Sequence, residues 1–316
     1  MTGGQVRVAV VGTGEIGRGW AALCAAHGWA VTLYDSDARA VSTAIEEITR
    51  RARALVALDH AIVDDVDAGL ASLGTGRSLL QACQDADWVI EAIPEDLIAK
   101  QKLFEAFESS APRARVITSS STGFTPGDIA ARCRRPDRCI VAHPYNPPEL
   151  IPLVELLLSD QTDRTIAEVL KGWLRALGRI PVTLKKPVKG NIGNRIAAAV
   201  WREAIDLVLK GAIDVDDLDR AVSLGPGLAW AAAGPHLTYH LAAGKRGVAG
   251  FLQHLLQTYE GLWGDLAAWE KLDHREEQKL IHAIERAYAE NIHDIRKARD
   301  RRLAAMLRAL ESAKRL

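Results

Sequence analysis

A histidine and a glutamate lie on either side of one proline-rich turn. The apolar run Cys139–Ala142 is typical of the end of a buried strand, and His143 follows it directly. Three prolines and Asn146 then predict a turn, and a second apolar run leads to Glu155. If the two strands are neighbours, Glu155 can bind one ring nitrogen of His143 and leave the other free for acid–base chemistry. We therefore predict a His–Glu dyad.

A glycine-rich turn near the amino terminus predicts a second reactant. The short apolar run Arg7–Val11 favours a buried parallel strand, and a GxGxxG turn joins it to a helical pattern. The first glycine allows a tight turn, the second lets the backbone approach a pyrophosphate, and the third lets the helix pack on the sheet. Free N–H groups at the helix's positive end would meet the phosphates. The predicted contacts are Gly12, Gly14, Glu15, Ile16 and Gly17.

A carboxylate follows the next predicted strand. Ala30–Tyr34 has the strand pattern, and Asp35 stands at its end, about twenty residues beyond the glycines. A carboxylate there accepts hydrogen bonds from ribose hydroxyls and repels a 2′-phosphate, and no arginine follows directly. The pattern favours NAD over NADP.

Two further strand ends carry polar side chains. The strand Asp87–Ala92 is followed by Glu95 and Lys100, which we expect near the nicotinamide because ligands bind beyond the carboxyl ends of parallel strands. Glu95 is equally explained as a carboxylate at a helix N-terminus. After the strand Val116–Thr118, the hydroxyl run Ser119–Gly123 either holds a substrate oxygen or caps backbone groups.

The order of predicted elements indicates two domains. Strands and helices alternate as far as Ile180–Leu184, whose Pro181 suits an edge strand, with an irregular acidic stretch after Leu58. Residues 1–186 are thus predicted to form a Rossmann-type, doubly wound, mostly parallel α/β sheet that binds NAD. Residues 187–316 are predicted to form an all-α substrate domain, with a loop cluster at residues 225–235. Its many apolar faces favour a homodimer through this helical domain.

Asn194 lies in the segment that opens the helical domain, residues 190–195. Its amide has the donor and acceptor needed to hold a carbonyl or hydroxyl beside His143. Capping a helix start is an equally good explanation.

Composition bears on partners and compartment. The 316 residues include 40 Lys plus Arg and 40 Asp plus Glu, so no net field favours nucleic acid or an anionic membrane. The four cysteines lack metal-ligand spacing, and His236 and His240 lack a third ligand, so we predict no metal site. With no secretory signal pattern or membrane-length apolar run, we expect a cytoplasmic protein acting on a small molecule.

Together these motifs resemble the 3-hydroxyacyl-CoA dehydrogenase superfamily across nearly the whole chain. Within it the chain looks closest to the branch acting on free hydroxy acids, which contains L-gulonate 3-dehydrogenase (lambda-crystallin) and carnitine 3-dehydrogenase. The segments that carry this similarity to the branch are residues 14–20, 146–155, 225–227 and 238–241.

The resemblance implies a role for each matching residue. His143 falls on the catalytic base and Glu155 on its partner, while Asn194 falls on an asparagine that positions the substrate. Thr122 stands where relatives often have serine, so the hydroxyl is kept. The remaining matches, all on cofactor contacts, are Asp35, Glu95 and Lys100.

Two positions depart from the pattern of the relatives. Asn191 stands where they usually carry an aromatic residue. Ala229 stands where many of the free-acid branch carry a basic or otherwise large side chain, which indicates a larger pocket or a different head group.

The resemblance implies NAD-dependent oxidation of the 3-hydroxy group of a small free hydroxy acid, L-gulonate- or carnitine-like, to the 3-keto product. One alternative is a 3-hydroxyacyl-CoA substrate, whose phosphates would dock on Arg50, Arg51 and Arg53, although an exposed helix face explains these arginines as well. Another is a non-catalytic, NAD-binding structural protein, against which the His143–Glu155 pair argues. A large pocket that accepts ketones or imines is a third.

Overall fold

The structure, a computed structural model, describes residues 6–58 and 66–313. The chain divides into two compact units. Of the described residues, one unit holds 6–58, 66–193 and Leu303–Ala305, and the other holds Asn194–Arg302 and 306–313.

The first unit is built on an eight-stranded sheet with helices between the strands. The strands are β1 (Arg7–Val11), β2 (Ala30–Tyr34), β3 (Leu73–Thr75), β4 (Trp88–Glu91), β5 (Val116–Ser119), β6 (Cys139–Pro144), β7 (Leu153–Leu157) and β8 (Ile180–Thr183). The helices are α1 (Glu15–Ala26), α2 (Ala38–Ala57), α3 (Val66–Ala71), α4 (Leu79–Cys83), α5 (Leu97–Ser110), α6 (Pro126–Ile129) and α7 (Arg164–Ala176).

The strand order is β3-β2-β1-β4-β5-β6-β7-β8. The first six strands in this order are parallel, β7 is antiparallel to β6, and β8 is parallel to β7. The order reverses between β1 and β4, which is where an open α/β sheet forms a ligand crevice. The mostly parallel, doubly wound sheet is confirmed, and Pro181 lies on the edge strand β8, as predicted.

Two apolar layers cover the sheet. On one face, buried side chains of α1, α2 and α7 pack against the strands, and Trp88 of β4 lies 5.6 Å from Trp20 and 6.1 Å from Trp173, between ring centroids. On the other face, Phe104 and Phe107 of α5 pack against β1, β4 and β5. Because both faces are covered, the central strands are continuous apolar runs.

The rest of the described chain after β8 is helical, as predicted. The helices are α8 (Gly193–Leu209), α9 (Val215–Leu224), α10 (Pro226–Ala242), α11 (Gly247–Asp265), α12 (His274–Ala287) and α13 (Ile292–Ser312). Among the described residues, no helix combines the length and apolar character needed to cross a membrane.

Two local predictions were wrong. The stretch after Leu58 is not irregular throughout: residues 59–65 lie outside the described residues, but α3, β3 and α4 follow. The predicted loop cluster at residues 225–235 lies in α10, because Pro226 occupies the first turn, where its missing N–H costs nothing. Gly234, with φ of 73°, kinks this helix, and Pro235 follows the kink.

Candidate functional site

A cleft of about 790 Å³ opens over the GxGxxG turn at the strand-order reversal. Gly12 has φ of 98°, and a Cβ there would lie 2.6 Å from the Ala92 carbonyl oxygen; a Cβ on Gly17 would lie 1.9 Å from the Gly12 carbonyl oxygen. A Cβ on Gly14 would meet nothing within 4 Å. The first and third glycines are therefore required by packing, whereas the second faces open space that a ligand can fill.

The N-terminus of α1 faces the same cleft. Gly14 is its N-cap and has no side chain with which to bind the first N–H groups, and Glu15 and Ile16 of the first turn line the cleft. Uncapped N–H groups at a helix's positive end form a site for a phosphate.

Asp35 lines the cleft at the end of β2. Its Oδ2 accepts hydrogen bonds from the Thr13 N–H at 2.8 Å and the Thr13 hydroxyl at 3.0 Å, and its Oδ1 accepts from the Asp37 N–H at 3.1 Å. Partial burial raises the pKa of Asp35, but these hydrogen bonds outweigh it, and the net pKa is lowered. An ionised carboxylate thus stands where a ribose would bind, and it also holds the glycine turn.

His143 and Glu155 are directly opposite each other on the antiparallel pair β6–β7. The His143 Nδ1 lies 3.0 Å from the Glu155 Oε2, and the two residues are 6% and 2% exposed. Since a carboxylate only accepts, Nδ1 carries the hydrogen in this bond and Nε2 keeps the lone pair. The two predicted dyad members are thus brought together, with His143 inside the strand rather than just after it.

The second oxygen of Glu155 is also bound. Its Oε1 accepts the N–H groups of Ile192 at 2.7 Å and Gly193 at 3.0 Å. A Cβ on Gly193 would lie 2.9 Å from the Tyr145 ring, so the close approach requires glycine. These bonds hold residues 187–193, which the sequence assigns to the second domain, with the first unit.

Glu95 organises the hydroxyl loop that follows β5. Its Oε1 accepts from the Ser121 hydroxyl at 2.6 Å, the Thr122 N–H at 3.0 Å and the Gly123 N–H at 2.8 Å. Partial burial by itself would raise the pKa of Glu95. These bonds and the nearby Lys100 lower the pKa by a larger amount, so the net pKa is lowered. Glu95 therefore fixes the position of Thr122, an effect that neither sequence explanation included.

Lys100 is buried beneath this loop. Its Nζ lies 2.6 Å from Glu91 Oε1, 3.1 Å from the Ile93 carbonyl oxygen and 3.5 Å from Glu95 Oε2. Burial raises the pKa of Glu91, although the Lys100 ammonium and the Ser119 hydroxyl both favour its ionised form. Contact between Lys100 and a cofactor stays a prediction, while the structure shows its pairing with Glu91.

Glu91 is a functional candidate that sequence reasoning missed, and Arg51 is one that it considered only as a phosphate site or an exposed residue. Glu91 is fully buried at the end of an otherwise apolar strand, and that lone charge was the available signal. Arg51 was noted only as one of three arginines on a helix, and no local pattern distinguishes it from Arg50.

Three more predicted positions have different outcomes. Asn191 is 4% exposed with φ of 53°, a conformation asparagine tolerates, and its Nδ2 lies 3.5 Å from the Thr122 carbonyl oxygen. Asn194 is the first residue of the second unit, where it follows Gly193 at the start of α8, and its substrate contact stays a prediction. Ala229 lies in α10 of the same unit.

Metal binding has no support among the residues that the structure describes, which contain no group of three or more His, Cys, Asp or Glu side chains able to hold an ion. His240 accepts a hydrogen bond from the Val248 N–H at 3.2 Å instead. The four cysteines are free thiols.

The open face at Gly14, the uncapped α1 terminus and the carboxylate of Asp35 fit NAD. With a paired histidine on the same sheet, the fold and site define an NAD-dependent oxidoreductase.

Comparison with known proteins identifies the family. Residues 7–187 match the NAD binding domain of 3-hydroxyacyl-CoA dehydrogenase and residues 190–282 match its C-terminal domain. The chain belongs to the 3-hydroxyacyl-CoA dehydrogenase family, and it uses NAD to oxidise a hydroxyl group.

Relatives are similar over nearly the full length. The L-carnitine dehydrogenase of Nocardiopsis dassonvillei is 35% identical over 98% of this chain and 92% of its own. The L-carnitine dehydrogenase of Streptomyces coelicolor is 36% identical over 96% of this chain and 94% of its own. Among solved structures, an NAD⁺-dependent dismutase, 5-formyl-3-hydroxy-2-methylpyridine 4-carboxylic acid 5-dehydrogenase, superposes with a TM-score of 0.82 at 27% identity, covering 98% of this chain and 100% of its own.

Proposed function

We propose that the protein oxidises the 3-hydroxy group of a small free hydroxy acid, carnitine- or L-gulonate-like, to the 3-keto product. The observation that carries this proposal is the buried His143 whose Nδ1 faces Glu155 at 3.0 Å. The substrate class is supported by the full-length similarity to relatives named L-carnitine dehydrogenase.

Each residue of the proposed site has a separate role in the reaction. Nε2 of His143 takes the proton of the substrate hydroxyl as the carbon–oxygen bond becomes a carbonyl. Glu155 holds the ring in the tautomer with Nδ1 protonated and stabilises the imidazolium that forms. Thr122 holds the substrate oxygen beside His143, and a substrate contact of Asn194 stays a prediction. The glycine turn, Asp35, Glu95 and Lys100 would hold NAD, which would supply the hydride acceptor for the oxidation.

Replacing the base tests the mechanism. His143→Gln should lower kcat by about 10²- to 10⁴-fold, the usual contribution of general base catalysis, while NADH still binds. Turnover by NADH absorbance and NADH affinity by fluorescence titration measure the two effects. The control is His274→Gln, since His274 exposes 84% of its side chain. A His143→Gln protein with wild-type turnover would remove His143 from the mechanism.

The substrate class is tested by comparing carnitine, L-gulonate, 3-hydroxybutyrate and a 3-hydroxyacyl-CoA thioester under the same conditions. We expect the highest kcat/KM with a free acid. Preference for the thioester would replace the proposal with the CoA alternative, and a lack of turnover with every alcohol would favour the non-catalytic one.

The arginines of α2 give the CoA alternative little support. Arg51 is 7% exposed and bound to carboxylates, and Arg50 pairs with Glu47 at 2.6 Å. Of the three arginines considered as a phosphate site, two thus already have anionic partners.

A second candidate substrate class is a pyridine carboxylic acid with a hydroxymethyl or aldehyde group. The observation that favours it is the superposition along the whole chain on the pyridine-carboxylate dehydrogenase. A cavity of about 170 Å³ beside Thr122 includes Lys189 and Asn191 in its lining, which adds polar groups near the proposed reacting centre. Including such a compound in the substrate comparison decides between the two classes.

We also propose a homodimer formed through the helical unit. No residue of the 17-residue helix α10 is buried, although the helix is largely apolar. In α11, Leu252 and Trp263 are 44% and 57% exposed and line, with the aromatic side chains of Tyr239 and Phe251, a groove of about 770 Å³. An apolar surface of this extent is typical of a protein interface, and a second copy would cover it.

A further inference from the structure

A single buried guanidinium joins three carboxylates, one from its own helix and two from distant parts of the first unit. The Arg51 NH2 lies 2.8 Å from both oxygens of Glu15, its Nε lies 2.8 Å from Glu47 Oε1, and its NH1 lies 3.1 Å from Glu149 Oε1. Glu15 and Glu149 are 36 and 98 residues away in the chain. Arg51 exposes only 6% of its side chain, and Glu149 is buried as well, whereas Glu15 is about half exposed. Solvent therefore screens the bond to Glu149 least.

The two distant partners of Arg51, Glu15 and Glu149, belong to different parts of the proposed site. Glu15 is the first residue of α1, directly after Gly14, in the turn that binds the cofactor. Glu149 lies in the turn between β6 and β7, which joins His143 to Glu155. Arg51 is thus bonded both to the segment that places the hydride acceptor and to the segment that places the base.

The turn between β6 and β7, which we call the catalytic turn, lies directly against α1. A Cβ on Gly19 of α1 would lie 2.6 Å from Glu149 Oε2 and 2.8 Å from Pro148 Cδ. The Arg179 NH1 also donates to the Pro148 carbonyl at 3.2 Å and to the Ile151 carbonyl at 3.1 Å. The turn is thus in contact with both α1 and Arg179, and its position depends on these contacts.

The charges of Glu15 and Arg51 also bear on cofactor binding. Glu15 stands at the helix end where the pyrophosphate binds, and an unpaired carboxylate there would repel it. Arg51 neutralises Glu15 and leaves the helix N–H groups attractive to the phosphates.

We propose that Arg51 is a positioning residue that couples the cofactor turn to the catalytic turn, an inference that rests on the proposed function of His143 and Glu155. Its planar fork binds partners in several directions at once, which a lysine cannot reproduce. The two reactants must be aligned closely, since a misplacement of about 1 Å can cost about 10²-fold in rate.

The test compares Arg51→Met and Arg51→Lys with Arg50→Met, a neighbouring arginine that also pairs with Glu47 but exposes 52% of its side chain. We expect Arg51→Met to lower kcat about 10- to 100-fold and to weaken NADH binding. Arg51→Lys should recover only part of each loss, and Arg50→Met should stay within about twofold of wild type. Melting temperatures, with assays run well below them, separate these effects from unfolding.

Two further variants separate the arms of the network. In the Arg51→Met background, Glu15→Gln should recover part of the lost NADH affinity, because it removes the carboxylate that Arg51 no longer neutralises. Glu149→Gln alone should lower kcat with little change in NADH binding. In the double variant Arg51→Met/Glu149→Gln, the loss of kcat should be smaller than the product of the single losses, because the two residues act through one contact.

Arg51→Met and Glu149→Gln proteins that match Arg50→Met in kcat and NADH affinity would overturn the inference. NADH affinity needs no substrate, so its result does not depend on the proposed reaction. A wild-type protein without turnover on any alcohol would refute the proposed function, while unchanged NADH binding in Arg51→Met would refute the coupling.

Discussion

At the residue scale, carboxylates act mainly as organisers of backbone N–H groups. Glu155 binds two N–H groups with one oxygen and His143 with the other, and Glu95 binds two N–H groups and a hydroxyl with one oxygen. Asp35 likewise holds the glycine turn through Thr13. These side chains set the shape of the loops that we propose contact the reactants.

Asp35 holds the glycine turn and is predicted to bind the ribose, and one substitution removes both contacts. Asp35→Ala should raise the KM for NAD by about 10- to 100-fold, because a hydrogen bond to a charged group contributes about 1.5–3 kcal/mol, and it should reduce discrimination against NADP. Initial rates with both cofactors measure the effect. The control is Asp37→Asn, which keeps the cap of α2. Unchanged KM values for both cofactors would remove Asp35 from the ribose site.

At the element scale, α2 is bonded through Arg51 to Glu15, the first residue of α1. The N-cap of α2 is Asp37, whose side chain accepts from the Arg39 N–H at 2.9 Å. In the middle of α2, Glu47 binds both Arg50 and Arg51. The buried Arg51 is therefore bonded within its own helix as well as to the other segments. The helix is amphipathic, and Arg51 is the one charged residue among its buried side chains.

The bonds between Glu47 and its two arginines should be sensitive to acid. The hydrogen bond from Arg50, followed by that from Arg51, lowers the pKa of Glu47 from 4.5 to about 2. A lowered folded-state pKa means that the ionised carboxylate stabilises the fold fully above pH 4.5, and that this contribution is lost as the pH falls toward 2.

We accordingly expect Glu47→Gln to cost at most about 1 kcal/mol at pH 7, because the pair is partly solvated, and less at pH 3. Urea unfolding of wild type and variant at both pH values measures the difference. Glu46→Gln, at an exposed neighbour, should behave like wild type. A loss of equal size at pH 7 and pH 3 would show that the charge is not its cause.

At the scale of the whole molecule, the two units differ in how completely they bury apolar surface. The first unit covers both faces of its sheet, whereas α10 and α11 expose large apolar side chains in the second. This asymmetry underlies the proposed homodimer.

Charge placed on the exposed apolar surface should dissociate the proposed dimer. Trp263→Glu and Leu252→Glu should give monomers at concentrations where the wild type is dimeric, because burying an unpaired carboxylate is costly. Analytical ultracentrifugation measures the mass. Ile98→Glu is the matched control, since Ile98 is 60% exposed but lies on α5 of the first unit. A monomeric wild type would contradict the proposal directly.

Local sequence patterns sufficed for much of the site. Strand-length apolar runs, the spacing of Gly12, Gly14 and Gly17, and the position of Asp35 depend on backbone geometry over a few residues. The pairing of His143 with Glu155 was also predictable, because a short turn between two apolar runs brings the strands together. Local rules failed at α10, where a proline and a glycine indicated a loop but the helix continues across its kink.

Only the tertiary structure decided which charges meet. Arg50 and Arg51 are adjacent and chemically identical, yet one is largely exposed and the other is buried among carboxylates from three segments. Glu91 and Lys100 pair because β4 and α5 place them face to face, and Glu95 reaches a loop more than twenty residues away. The sequence by itself determined the glycine turn and the pairing of His143 with Glu155, because both depend on short-range geometry. The surrounding charge pairs required the fold, since electrostatic partners are set by distance in space and not along the chain.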